Sequence, residues 1–140
     1  MGLQILSETS EESPGARGLG WIPGRVKKFK AGRGLKVPHM GWNQVRQKAA
    51  HPIFAGIPDK ADFYFVHSYH AHVDNPQHSA GETEYGVRFT SVVARDNIFA
   101  TQFHPEKSGK AGLQLLASGK CDAMLVGKLV GLNTLKERRI

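Results

Sequence analysis

The chain is organised around one stretch, Ala100-Thr101-Gln102-Phe103-His104-Pro105-Glu106-Lys107-Ser108. Its pattern predicts a buried strand over 97–103 that stops at a proline, followed by a helix over about 106–116. Pro105 suits the first helical turn, because the N–H that proline lacks is not needed there. His104 therefore lies at the carboxyl end of a strand, where ligands and catalytic groups collect in open α/β sheets.

His104 is followed two residues later by a carboxylate, Glu106. An imidazole held by a carboxylate is the orienting pair of a nucleophile–base–carboxylate triad, because the carboxylate fixes the tautomer and stabilises the imidazolium that forms. His-x-Glu is nevertheless a common pair. Taken alone, it favours the simpler interpretation of a capped helix start with an exposed histidine.

The longer string Thr-Gln-Phe-His-Pro-Glu-Lys-Ser resembles the His/Glu motif of class I glutamine amidotransferases. The resemblance implies that His104 is the general base, that Glu106 orients it, and that the nucleophile is a cysteine far upstream. It also implies an α/β fold, the flavodoxin-like three-layer sandwich of that class, represented here by its C-terminal half only. No cofactor and no metal are expected.

Composition limits the classes of protein to which the chain can belong. It has 140 residues and 40% hydrophobic content, which fits one globular domain with one core. No apolar run approaches the ~20 residues of a membrane span, and no signal peptide is evident. The single cysteine excludes an internal disulfide and fits a reducing compartment, so a cytoplasmic protein without a membrane partner is predicted.

The formal net charge of +7 raises the possibility of a nucleic-acid partner. Part of it comes from a basic cluster made of Arg25, Lys27, Lys28, Lys30, Arg33 and Lys36. Aromatic residues do not alternate with these side chains as they do in a single-strand binding platform. A solvated strand or loop surface is the favoured interpretation, and no nucleic-acid partner is predicted.

Residues 1–10 are predicted to form a helix, because Leu3 and Leu6 share one face. Met1-Gly2-Leu3-Gln4 resembles the second half of the amidotransferase nucleophile elbow, Gly-x-Cys-x-Gly-x-Gln. That resemblance places the nucleophilic cysteine immediately before Met1 and gives Gln4 a contact with bound glutamine. The only cysteine, Cys121, does not match the elbow. The chain as given is therefore expected to be a fragment without glutaminase activity.

Pro38-His39-Met40-Gly41-Trp42-Asn43 is predicted to lie in a kinked edge strand, because a proline and a glycine interrupt it. The string resembles one branch of the class, the glutaminase (HisH-type) subunit of imidazole glycerol phosphate synthase in histidine biosynthesis. The resemblance implies that the partner is a cyclase subunit. It makes Trp42, Asn43 and Lys107 candidates for the interface, and it implies that ammonia passes to that cyclase.

Residues 61–70 are rich in aromatic and β-branched side chains and predict a strand. On the predicted strand, His70 and His72 would share one face while His67 points away, so three convergent metal ligands are not expected. Structural histidines are favoured over a metal site. Phe-Val-His-Ser-Tyr resembles the amidotransferase segment whose backbone binds glutamine, which makes Ser68 and Tyr69 candidate substrate-binding residues.

Strands are also predicted over 82–85, 87–95 and 97–103, and the tight turns between them imply antiparallel pairing. Residues 1–116 are expected to be a partial amidotransferase domain. For the atypical tail, 117–140, three interpretations stay open: the start of a cyclase domain, unrelated sequence, or a short amphipathic helix. Three other functions also stay open: an amidotransferase of another pathway, a non-catalytic remnant that binds the cyclase, and a basic nucleic-acid binder, which no recognition motif supports.

Overall fold

The computed structural model describes residues 2–30, 32, 34–48, 50–96, 98–118 and 123–125. The strands in these ranges are β1 Thr9–Ser10, β2 Gly24–Lys28, β3 His39–Gln47, β4 Ala61–His67, β5 Tyr69–Val73, β6 Ser79–Tyr85, β7 Val87–Arg95, β8 Ile98–Thr101 and β9 Ala123–Leu125. The helices are α1 Gly2–Ile5, α2 Gly109–Ser118 and the 3₁₀ helices Pro52–Phe54, Pro76–His78 and Pro105–Lys107. None of these helices is long and apolar enough to cross a lipid bilayer.

The described strands form a mixed sheet in the order β1-β2-β5-β7-β6-β3-β4. Strand β7 lies at its centre: one edge pairs with β6, and the other pairs with β5 at Thr90 and with β8 from Val92 to Arg95. The β1–β2 and β8–β9 pairs are parallel, whereas the pairs around β7 are antiparallel. The predicted α/β class and the predicted antiparallel pairing of the later strands are both confirmed.

The turn between β6 and β7 is made by Gly86, whose φ of 72° lies in the left-handed region. A Cβ added there would lie 2.7 Å from the Leu35 side chain. The positive φ favours glycine at this position, and any larger residue would also force the Leu35 side chain to move. The resulting tight turn starts the antiparallel β6–β7 pairing with the register Tyr85↔Val87.

Apolar cores lie on both faces of the sheet. Consecutive residues of β8 contribute to different cores: Phe99 belongs to the larger cluster and Ala100 to the smaller. Because successive strand residues point to opposite faces, the two clusters lie on opposite sides. Helix α2 packs on the larger cluster through Leu115, and Leu3 and Leu6, at and just beyond α1, are buried in the smaller cluster. This arrangement is the three-layer one that the sequence predicted.

Three predicted elements were wrong in extent. The helix predicted over 1–10 ends at Ile5, because the backbone from Glu8 onward bonds to β2 instead. The helix predicted over about 106–116 is divided into a 3₁₀ turn and α2, and Gly109, with φ 60°, separates the two. The strand predicted over 61–70 is interrupted at Ser68, because β4 pairs with β3 whereas β5 pairs with β2.

The interruption at Ser68 also overturns the predicted histidine geometry. The rings of His67 and His70 both contact Phe29, with centroid distances of 5.1 Å and 4.7 Å. His67 therefore does not point away from His70, as it would in an unbroken strand. Cys121 and most of the tail 117–140 lie outside the described residues, and the interpretations of that tail remain predictions.

Candidate functional site

The side chains of His104 and Glu106 are hydrogen-bonded to each other, with 2.9 Å between Nδ1 and Oε1. The His104 side chain is only 10% exposed, while that of Glu106 is 44% exposed. His104 has extended backbone and precedes the 3₁₀ helix Pro105–Lys107, in which Pro105 takes the first position. The local sequence thus produces the predicted strand–turn–helix geometry, because proline starts the turn and brings the carboxylate back toward the imidazole.

The turn that carries His104 is fixed to β4. The His104 N–H donates to the Tyr64 carbonyl at 2.9 Å, and the Tyr64 N–H donates to Ser108 Oγ at 3.0 Å. Ser108 Oγ in turn donates to the His104 carbonyl at 2.6 Å. Both backbone polar groups of Tyr64 are thus bonded to the turn, and these hydrogen bonds hold the backbone of His104 in place.

The tautomer of His104 follows from its partner. A carboxylate only accepts hydrogen bonds, so Nδ1 of a neutral His104 carries the proton and Nε2 has a free lone pair. No residue in the described ranges forms a hydrogen bond with His104 Nε2. An imidazole in this state is ready to accept a proton from a nucleophile and to return it to a leaving group.

The predicted substrate residue Gln4 lies beside the same strand end. Its Nε2 donates to the Tyr69 carbonyl and to Gln102 Oε1, each at 3.1 Å. The structure therefore brings Gln4 and Tyr69 together, and Gln102 joins them two residues before His104. Ser68 adjoins them in sequence, and its carbonyl is occupied by the Phe29 N–H at 3.0 Å.

Two further histidines are buried near this site: His67 forms a hydrogen bond with the Tyr69 carbonyl, and His39 forms one with His67. Burial lowers the pKa of His39 to about 4 and that of His67 to about 3. A smaller opposing effect on the pKa of His67 comes from its hydrogen bond to the Tyr69 carbonyl. Both imidazoles are therefore neutral at pH 7.

These lowered pKa values predict that stability falls with pH. As the pH drops below 6.5, the unfolded chain takes up protons on both histidines while the folded chain does not, until about pH 4 for His39 and about pH 3 for His67. The unfolding free energy should decrease by up to about 1.4 kcal/mol per pH unit for each histidine between pH 6.5 and 4. Urea titrations should show a weaker pH dependence in His39→Phe and an unchanged one in Leu113→Ala, which alters an exposed side chain that does not titrate. Equal slopes in all three proteins would contradict this assignment.

Two of the three candidate interface residues, Trp42 and Asn43, lie on opposite faces of β3. Trp42 is 57% exposed and packs edge-on against Tyr64, with ring centroids 5.8 Å apart. Met40 and Val66, a neighbouring cross-strand pair, are exposed on the same face. We call Met40, Trp42, Tyr64 and Val66 the apolar patch.

Asn43 points to the opposite face from Trp42, because strand residues alternate. Its Nδ2 donates to the Glu84 carbonyl at 2.9 Å and bonds His39 Nε2 at 3.2 Å, so its amide is used within the chain. Lys107 is exposed at the end of the 3₁₀ helix Pro105–Lys107. The residues before and after that helix, His104 and Ser108, form hydrogen bonds with Tyr64. The exposed apolar patch and Lys107 thus adjoin the turn that carries His104.

Sequence reasoning missed four residues of this region: Gln102, Ser108, His39 and His67. Gln102 and Ser108 lie within the same stretch as His104, residues 100–108, but no role was predicted for either. The pairing of His39 with His67 depends on the β3–β4 register, in which they are direct partners. Among the described residues, no group of three or more His, Cys, Asp or Glu side chains is arranged to hold a metal ion.

Comparisons with known proteins show the family to which the chain is related. The family model for glutamine amidotransferase class-I matches residues 1–120. Imidazole glycerol phosphate synthase subunit HisH from Nitrosomonas europaea is 55% identical over 125 residues, covering 84% of this chain and 58% of that protein. The HisH subunit from Methanocaldococcus jannaschii is 54% identical, covering 83% of this chain and 58% of that protein. The chain thus spans less than two thirds of the length of these relatives.

A solved structure gives the same fold. It is the crystal structure of a GMP synthase subunit from Thermoplasma acidophilum, which superposes with a TM-score of 0.54 and shares 19% sequence identity. The match covers 83% of this chain and 50% of that protein. At this identity the likeness concerns the fold alone.

Proposed function

This chain belongs to the class I glutamine amidotransferase family, and from that premise we propose that it forms the catalytic-base portion of the glutaminase subunit of an imidazole glycerol phosphate synthase. The proposed substrate is glutamine, and the proposed products are glutamate and ammonia, the ammonia passing to a cyclase subunit. The identity of 50–56% to several HisH subunits supports this branch of the family. As part of the proposal, residues 1–116 are the amidotransferase portion.

The observation that carries the proposal is the His104–Glu106 hydrogen bond of 2.9 Å just beyond a buried strand, with Gln4 and Gln102 at the same strand end. This is the base and orienting acid that glutamine hydrolysis needs. The nucleophile we propose is the elbow cysteine, the second half of whose motif matches residues 1–4.

In the proposed reaction, His104 Nε2 takes the proton of the cysteine thiol, and the thiolate attacks the side-chain amide carbon of glutamine. The same proton then passes to the amide nitrogen, which leaves as ammonia and produces a thioester. Water, deprotonated by His104, hydrolyses the thioester to glutamate and restores the thiol. Glu106 stabilises the imidazolium at each stage, because its negatively charged carboxylate accepts a hydrogen bond from the Nδ1–H group.

The test uses a hybrid enzyme: the part of the Nitrosomonas europaea HisH subunit that precedes the matched region, joined directly to Met1 of this chain. The cyclase subunit of the same organism is added, and the intact Nitrosomonas subunit is the positive control. We expect glutamate release and glutamine-dependent formation of imidazole glycerol phosphate. Both products are measured by chromatography.

The alternatives give different results in the same assay. Glutamate release without an imidazole product indicates an amidotransferase of another pathway. Binding of the cyclase without glutamate release indicates a non-catalytic remnant. Neither glutamate release nor cyclase binding by the hybrid enzyme, when the positive control is active, refutes the proposal as a whole.

The apolar patch is the proposed contact with the cyclase, and it yields a prediction about Trp42. An aromatic side chain that becomes buried when an interface forms often contributes about 2 kcal/mol or more to the binding free energy, which corresponds to about 30-fold in Kd. Trp42→Ala should weaken cyclase binding by roughly that factor. Trp21→Ala is the matched control, because Trp21 is also about half exposed but lies outside the patch. Calorimetric titration gives both Kd values, and equal weakening by the two variants would remove Trp42 from the interface.

A further inference from the structure

A continuous run of hydrogen bonds crosses the interior from β3 to the glutamine site. Asn43 Nδ2 lies 3.2 Å from His39 Nε2, and His39 Nδ1 lies 2.8 Å from His67 Nε2. His67 Nδ1 lies 2.7 Å from the Tyr69 carbonyl oxygen. We call Asn43, His39, His67 and the Tyr69 carbonyl the imidazole relay.

The direction of every bond in the relay is fixed by its last member. The Tyr69 carbonyl can only accept, so His67 Nδ1 carries a proton. Since burial keeps His67 neutral, its Nε2 is an acceptor, and His39 Nδ1 must therefore donate to it. His39 Nε2 is then left as an acceptor for the Asn43 amide. All four imidazole nitrogens are satisfied in one arrangement only.

Both rings are held by packing as well as by hydrogen bonds. Tyr85 and Phe65 stack on the His39 ring, with centroids 4.0 Å and 4.8 Å away. Phe29 and Phe89 contact the His67 ring at 5.1 Å and 5.2 Å. Burying two imidazole rings among aromatic side chains requires a desolvation free energy that apolar residues in the same places would not require. A fully satisfied polar network at such a place selects one geometry.

The relay ends on the acceptor that also positions Gln4. The Tyr69 carbonyl accepts hydrogen bonds from His67 Nδ1–H and from one N–H of Gln4 Nε2, and Gln102 Oε1 accepts one from the other N–H of Gln4 Nε2. A flipped Gln4 amide would place two acceptors against each other at Tyr69, so the carbonyl fixes the amide orientation. Among the described residues, none donates to Gln4 Oε1, which is left to accept from a ligand.

We propose that His39 and His67 are positioning residues of the glutamine site, which hold the Tyr69 carbonyl and, through it, the Gln4 amide in the orientation that accepts the substrate. The inference rests on the proposed function, since it assigns the two residues to that same site. Neither imidazole touches the reacting atoms. Their effect should therefore appear in substrate affinity rather than in the chemical step.

The kinetic test compares three substitutions in the hybrid enzyme. His67→Phe keeps a planar aromatic ring and removes the donor to Tyr69, so KM for glutamine should rise about 10-fold, the size of one positioned hydrogen bond, while kcat stays within about 3-fold. His67→Asn places an amide N–H near the former Nδ1 and should restore KM to within about 3-fold. His70→Phe is the matched control, because its ring also contacts Phe29 while its Nδ1 has no hydrogen-bond partner among the described residues.

A spectroscopic measurement tests the relay without relying on turnover. Long-range ¹H–¹⁵N spectra of the hybrid enzyme at about pH 7.5, where both imidazoles are neutral, should show His39 and His67 protonated at Nδ1 and unprotonated at Nε2. An Nε2–H tautomer at either residue would overturn the relay. Should His67→Phe fail to fold, His39→Phe removes the preceding donor and is expected to raise KM in the same direction by a smaller factor.

The outcomes separate this inference from the proposed function. An active hybrid enzyme in which folded His67→Phe has unaltered KM overturns the inference and leaves the function intact. Equal KM increases in His67→Phe and His70→Phe overturn it as well, because general loosening of the aromatic cluster then explains both. A hybrid enzyme without glutaminase activity refutes the function, and the positioning role is refuted with it.

Discussion

Replacing His104 with alanine in the hybrid enzyme is expected to lower kcat for glutamine hydrolysis by at least about 10³-fold. His104 is the one imidazole in the described ranges that is bonded to a carboxylate and has an Nε2 without a hydrogen-bond partner. Without it, no group removes the thiol proton or protonates the departing amide nitrogen. KM for glutamine should change little, since the contacts of Gln4 and Tyr69 do not involve the imidazole.

Glu106→Gln distinguishes two contributions of Glu106 to kcat, the orientation of the His104 ring and the negative charge beside it. The side-chain amide introduced at position 106 can still accept a hydrogen bond from His104 Nδ1–H through its oxygen, but it carries no charge to stabilise the imidazolium. The Glu106 side chain is partly exposed, so solvent compensates for some of that lost charge. The loss in kcat should therefore be clearly smaller than for His104→Ala.

The control for the His104 substitution is His72→Ala, which removes an exposed histidine of β5. Its kcat should stay within about 2-fold of the unaltered enzyme, as expected for a surface change away from the site. Single-turnover measurements of glutamate release provide the comparison. Full turnover in His104→Ala would exclude this residue as the base and would remove the main support for the proposed mechanism.

The parts of the site that were predictable from sequence are those set by local geometry. His104 and Glu106 are two residues apart on either side of a proline, and a short turn leaves few ways to arrange them. The string around them also resembles one family. Both the pair and its position at a strand end were therefore predicted, and the 2.9 Å hydrogen bond follows that prediction.

The contacts of Gln4 could not be worked out from spacing. Its partners lie 65 and 98 residues away in sequence, and only the resemblance of residues 1–4 to an elbow pointed to a role. The His39–His67 pair was missed for a related reason. Its two members meet through the antiparallel register of β3 with β4, and the break at Ser68, which turns His67 and His70 toward the same phenylalanine, has no periodic signal.

Phe103→Ala is expected to lower the unfolding free energy of the hybrid enzyme by about 3–5 kcal/mol. Phe103 is fully buried, and its ring centroid lies 4.2 Å from that of Phe63 and 5.7 Å from that of Phe65. Truncation removes the apolar contacts and leaves a cavity that surrounding strands cannot fill. Domains typically have about 5–15 kcal/mol of stability in total, so this loss is a large part of it.

Leu113→Ala is the matched control for Phe103→Ala, because this leucine lies on α2 with 63% of its surface exposed. Its substitution should change stability by no more than about 0.5 kcal/mol. Urea unfolding followed by fluorescence measures both, and an equal effect of the two substitutions would contradict the assignment of Phe103 to the core.

Phe103→Leu retains most of the apolar volume and should fold. Phe103 lies between Gln102 and His104 in the sequence, so a shift of its ring displaces both residues. Phe103→Leu should therefore lower glutamine turnover while the enzyme stays folded.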